Sequence, residues 1–134
     1  MGFLDKIVRN MPGGPLSIAK SMLRAYNIYL RANPGCPKED ARRYCIETRY
    51  KVIKILNQDE IEKILTDTPP DLGILVYACI RRENPAAFEY PFTTKTLDDL
   101  CSFFTKNVPE ESKLLWELRR EVNAKFLKKW GINA

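Results

Sequence analysis

The residues of this chain best suited to chemistry are its cations. Lys20, Arg24 and Arg31 recur at spacings that set them on one face of a helix. Arg42, Arg43, Arg49, Lys51 and Lys54 crowd the next helical stretch. Such side chains recognise carboxylates and phosphates; alone they make and break no bonds. Two basic helices packed antiparallel would present one positive surface, which speeds encounter with an acidic partner and fixes its orientation. A charge run is also what an ordinary solvated helix face looks like, so both readings stand at this point.

Covalent chemistry finds less support. There is no histidine, the commonest general base near neutral pH. The four cysteines, Cys36, Cys45, Cys79 and Cys101, show none of the close spacings of zinc or redox motifs. Cys45 and Cys79 sit on apolar helical faces and read as small core residues. No nucleophile elbow, P-loop or dinucleotide-binding glycine motif is present. The expectation is a binding protein without a catalytic site, a metal or a cofactor of its own.

These residues must be positioned by helices. The chain has 134 residues, 45% of them hydrophobic and 29% charged, one soluble domain's worth. Its net charge is +5, which favours an acidic protein, nucleic acid or an anionic membrane surface. No apolar run approaches the ~20 residues that span a bilayer, and no secretory leader is visible. Phe3, Leu4, Ile7, Val8 and Met11 form an amphipathic stripe, closed by a Pro/Gly hinge at 12–15. That stripe reads first as a helix packed onto the domain or held by a neighbour, and second as a membrane-surface anchor.

Further helices are expected over 16–32, 37–57, 59–66, 71–82 and 95–106, and from 109 onward. In the second of these Ala41, Tyr44, Cys45, Thr48, Val52, Ile55 and Leu56 form the expected buried stripe, with the arginines outward. The helix over 71–82 is apolar almost all round and should be the most buried. Phe88 to Phe92 reads as an ordered loop across the core.

Ala25-Tyr26-Asn27-Ile28-Tyr29-Leu30-Arg31 resembles a degenerate form of the leucine–tyrosine–arginine signature of the LYR-motif family. Tyr26, Leu30 and Arg31 agree with it; Ala25 and Asn27 depart from it. The next helix is basic, with Arg49-Tyr50-Lys51 and then a polar turn at 57–61, and is similar to the helix that succeeds the signature in that family. The resemblance covers 17–84, about half the chain.

It implies an antiparallel three-helix core over 16–84; with the N-terminal amphipathic helix before it and the two further helices over 85–134 read from periodicity, the expected fold is all-α. The resemblance also implies a mitochondrial, matrix-side accessory subunit or assembly adaptor of a membrane-associated respiratory complex; without it, the cytoplasm is the default. Members commonly bind an acyl carrier protein and take its acyl-phosphopantetheine arm between the helices. The partner-binding candidates are then Lys20, Arg24, Tyr26, Arg31, Arg42, Arg43, Arg49, Tyr50, Lys51 and Lys54. Met22, Leu23, Tyr29, Cys45, Val52, Leu75 and Cys79 would line the acyl chain. Each methylene buried there would gain roughly 0.8 kcal/mol, although the same residues suit a closed core. Asn27 lacks the charged fork of the family's arginine, which weakens the expected carrier contact. The rival reading is nucleic-acid binding through the basic helices.

Overall fold

The computed structural model describes residues 14–67 and 71–129; the amphipathic stripe expected over 1–11 lies outside them. Among the described residues every regular element is helical: α1 (Pro15–Ala32), α2 (Lys38–Ile53), α3 (Gln58–Asp67), α4 (Leu72–Glu83), α5 (Thr93–Asn107) and α6 (Lys113–Lys129). Short 3-10 turns at Pro85–Phe88 and Pro109–Glu111 precede α5 and α6. The expected all-α class is observed.

The helix limits have local causes. Pro15 opens α1, where the N–H it lacks would have no helical partner. Asn33 closes that helix by donating to the Tyr29 carbonyl from its backbone and its side chain, each at 3.0 Å. Gly35 then takes a φ of 80° to turn the chain. At α3 Asn57 accepts the Glu60 N–H at 2.9 Å while the Glu60 carboxylate accepts the Asn57 N–H at 3.2 Å. This is a reciprocal capping box. Asp71 caps α4 by accepting from the Ile74 N–H at 3.2 Å.

The connection over 33–37 folds α1 and α2 into a hairpin, with Tyr29 stacked on Tyr44 at a centroid distance of 5.0 Å. Helix α1 also packs on α4 and α5. One continuous core joins Ile18, Met22 and Tyr26 to Cys45 and Tyr50, to Val76 and Ile80, and to Leu97, Leu100, Phe104 and Leu115. The residues after 84 therefore complete the core that holds α1, rather than flanking a closed three-helix unit. Helix α4 is the buried one, as its composition predicts: Leu72, Val76, Cys79 and Ile80 have no measurable exposure. Gly73 lets its first turn lie against the 3-10 turn before α6. A β-carbon there would meet the Glu111 carbonyl oxygen at 2.8 Å.

Two expectations need correcting. The inward face of α2 is not the expected stripe. Ala41 and Cys45 are buried, but so are Ile46 and Tyr50, while Tyr44 is 37%, Ile55 53% and Val52 74% exposed. The inward face is formed by Ala41, Cys45, Ile46 and Tyr50, with Arg42, Arg49 and Ile53 half-buried along its edge, so two arginines are drawn toward the core. The left-handed backbone of Lys54, with φ 54°, also ends α2 and carries Ile55 out of helical register. In the loop after α4 only Phe88 packs inward, edge-on against Tyr77 at 4.7 Å; Tyr90 and Phe92 are exposed.

Candidate functional site

Two of the three arginines of α2, Arg42 and Arg49, turn inward because carboxylates from distant parts of the chain meet them there. Glu111 is 2% exposed. Its Oε1 accepts from the Tyr26 hydroxyl at 2.8 Å and from Arg42 at 3.1 Å; its Oε2 accepts the Leu72 N–H at 2.8 Å. One side chain thus ties together α1, α2 and the N-terminus of α4. The positive end of the α4 dipole and the Arg42 guanidinium jointly offset burial of its charge. Asp71 lies beside it, and one of its oxygens reaches the Leu114 N–H at 3.4 Å. Burial, with the like charge of Glu111 adding to it, raises the Asp71 carboxyl above its ordinary range.

A second inward pair closes the other half of α2. Arg49 holds Glu83 bidentately, its Nε 3.1 and 3.2 Å from the two carboxylate oxygens. Both side chains are mostly enclosed. Tyr50 is buried next to this pair. Its hydroxyl lies beside the Cys79 thiol and the Glu83 carboxylate, without a hydrogen bond of normal geometry among the described residues. Burial raises the ionisation of Tyr26 and Tyr50 far above the ordinary tyrosine value. It pushes the Cys79 thiol up to about 12 and Cys101 up to about 11, and raises Cys45 as well. Thiols held protonated in this way are poor nucleophiles. Among the described residues no group of three or more metal-ligating side chains converges.

The ten partner-binding candidates therefore divide. Tyr26, Arg42, Arg49 and Tyr50 are internal. Arg43 is half exposed and paired with Glu62 at 2.5 Å and Glu47 at 3.4 Å. Lys20, Arg24, Arg31, Lys51 and Lys54 are exposed and form no ion pair among the described residues. The first three share one outward face of α1, over a length of roughly 16 Å at 1.5 Å per residue. Helix α1 contains no acidic residue.

The acyl-lining candidates divide too. Met22, Leu23, Cys45, Leu75 and Cys79 are buried members of the continuous core. Tyr29 is half-buried against Tyr44, and Val52 faces solvent. A cavity of about 260 Å³ lies elsewhere, at the start of α1 between Leu16, Asn84, Ala87, Phe92 and Thr96. It is smaller than the ~300 Å³ at which ligand pockets generally begin. None of the expected lining residues borders it.

Glu111, Glu83 and Asp71 were not among the candidates read from sequence. Asp71 carried a usable signal, standing before an apolar helix as a cap should. Glu111 and Glu83 carried none, since their partners lie 85, 69 and 34 residues away. No protein-family model, curated protein or solved structure matches the chain.

Proposed function

We propose that the protein is a non-catalytic adaptor that docks an acidic partner protein on the exposed face of α1. The observation that carries this reading is the Lys20–Arg24–Arg31 stripe: three exposed cations on a helix without an acidic residue, none held by an internal ion pair among the described residues. Cations left unpaired in this way steer and orient a negative partner. The titratable groups with strongly shifted values support a binder as well, since Tyr26, Tyr50 and Cys79 are enclosed in the core.

The more specific form is the one the LYR resemblance implies: an accessory subunit or assembly adaptor of a mitochondrial respiratory complex, with an acyl carrier protein as the acidic partner. Contact would then be made by the carrier's surface on α1. The core between α1 and α2 is filled by Met22, Leu23 and Cys45, so an acyl arm would need that packing to open.

Fluorescently labelled acyl carrier protein is the probe, titrated with the full chain at two salt concentrations. The expected result is saturable binding that weakens with salt. The K20E/R24E/R31E variant should bind about 30-fold more weakly, within the ~150-fold ceiling that up to about 1 kcal/mol for each of three rim charges allows. Equal binding by that variant, or tighter binding of duplex DNA with a steep salt slope, would overturn the proposal.

A further inference from the structure

We infer that the end of the α1–α2 hairpin carrying Val52 and Ile55 docks on an anionic lipid surface. Val52 is the most exposed large apolar side chain described, at 74%, and Ile55 stands beyond the helix end at 53%. Val52 lies one turn beyond Thr48 on α2, outside the buried face of Ala41, Cys45, Ile46 and Tyr50, and no described residue covers it. Lys51 and Lys54 flank it, both exposed and in no ion pair among the described residues. No acidic residue stands between Glu47 and Asp59. The left-handed backbone at Lys54 sets Ile55 outside the helix instead of returning it to the core.

The hairpin brings the start of α1 to this same end, because α1 and α2 run antiparallel about a short connection. Lys20 adds a third cation there. The chain enters α1 from a stretch whose sequence alternates Phe3, Leu4, Ile7, Val8 and Met11 with Lys6 and Arg9, the pattern of an interfacial segment.

Charge selects the occupant. The stretch before α1 carries Lys6 and Arg9 in its sequence, the same sign of charge as Lys20, Lys51 and Lys54. A two-fold contact with a second copy would set the same lysines against themselves. Anionic headgroups neutralise all of them while the two β-branched side chains enter the apolar boundary, each lysine adding roughly fivefold to partitioning. No described helix is long and apolar enough to cross a membrane, so the contact lies at the surface.

The test is co-sedimentation of the full chain with phosphatidylcholine vesicles, with and without a third of the lipid as phosphatidylglycerol. Binding is expected only with the anionic lipid. K51Q/K54Q should weaken it ~30-fold, and V52N/I55N roughly tenfold. All four side chains are exposed, so both variants should fold, with wild-type circular dichroism as the check. Absence of binding to anionic vesicles overturns the inference. So does undiminished binding by V52N/I55N, which would make the contact purely electrostatic. Lipid-free self-association that V52N/I55N abolishes would assign the tip to a second copy and also overturn it. An R24E/R31E variant leaves Lys20 and Lys51 to Ile55 intact and should keep its vesicle binding while losing the acidic partner, so the two readings fail separately.

Discussion

Helices α1 and α2 are both basic, yet they use their charge in opposite ways. The Lys20, Arg24 and Arg31 side chains of α1 all face outward. In α2, Arg42, Arg43 and Arg49 are each held by a carboxylate from another part of the chain or one turn along the same helix. Counting cations would rank α2 as the stronger binding face. Pairing reverses the order, because an arginine already gripping a buried glutamate has little left for a partner. The arginines of α2 serve the fold; the cations of α1 are left to meet something else.

The largest test of this contrast is at Glu111. Glu111→Ala would strand the Arg42 charge, the Tyr26 hydroxyl and the Leu72 N–H in a closed core. Breaking a buried ion pair costs ~3–5 kcal/mol. The urea midpoint should fall accordingly, or the chain should fail to fold. Glu111→Gln keeps one acceptor and the shape, so its loss should be smaller. A cost for Glu111→Ala below ~1 kcal/mol would mean that Arg42 is not tied inward.

Arg49 and Arg24 sharpen the same comparison within one residue type. Arg49→Ala leaves the enclosed Glu83 carboxylate alone and should cost about 3 kcal/mol. Arg49→Lys should recover only part of that, because an ammonium cannot grip both oxygens as the fork does. Arg24→Ala, on the open face of α1, should change stability by less than ~0.5 kcal/mol. Similar values for the two alanine variants in denaturant unfolding would erase the distinction between the helices.

Much of the fold was readable from periodicity, and the reasons it failed locally are physical. In α1 the buried Ala19, Met22, Leu23 and Tyr26 recur at helical spacing while Lys20, Arg24 and Arg31 stay exposed, so hydrophobic pattern and structure agree there. Likewise the apolar run of α4 announced a buried helix. The face of α2 was misread because hydrophobic pattern treats every arginine as outward. Arg42 and Arg49 turn inward only because Glu111 and Glu83 are delivered by tertiary structure. Tyr26 and Tyr50, partner-binding candidates on the family resemblance, are buried: the first donates to Glu111 and the second fills space beside Cys79. Val52, expected inward at the spacing of Ala41, Cys45 and Thr48, is exposed, because periodicity cannot tell how far along a helix the packing reaches.

The carboxylate beside Glu111 makes stability near the hub depend on pH. Burial raises the Asp71 carboxyl, so the folded protein holds that proton more tightly than the unfolded chain. Asp71 therefore stabilises most below its unfolded value, near 4. Its contribution is lost as pH rises through the higher folded value. An Asp71→Asn variant retains a competent helix cap and does not titrate. The stability difference, wild type minus variant, should fall as pH rises from about 4 toward neutrality. A difference that is flat or rising over that window would mean that the cap hydrogen bonds outweigh desolvation.

The smallest expected effect concerns a residue whose backbone matters to the fold more than its charge. Lys54 stands in the left-handed region at the end of α2, its N–H bonded to the Tyr50 carbonyl at 3.0 Å. Glycine takes this conformation without a β-carbon penalty, although it leaves the unfolded chain more entropy to lose. Lys54→Gly should therefore stabilise by only about 0.5 kcal/mol. It removes a lysine from the tip of the hairpin and none from the outward face of α1. Affinity for an acidic protein docked on Lys20, Arg24 and Arg31 should stay within about twofold while the urea midpoint rises slightly. If affinity instead falls as far as it does on loss of Arg24, the two helices share one docking surface and the division of labour between them is wrong.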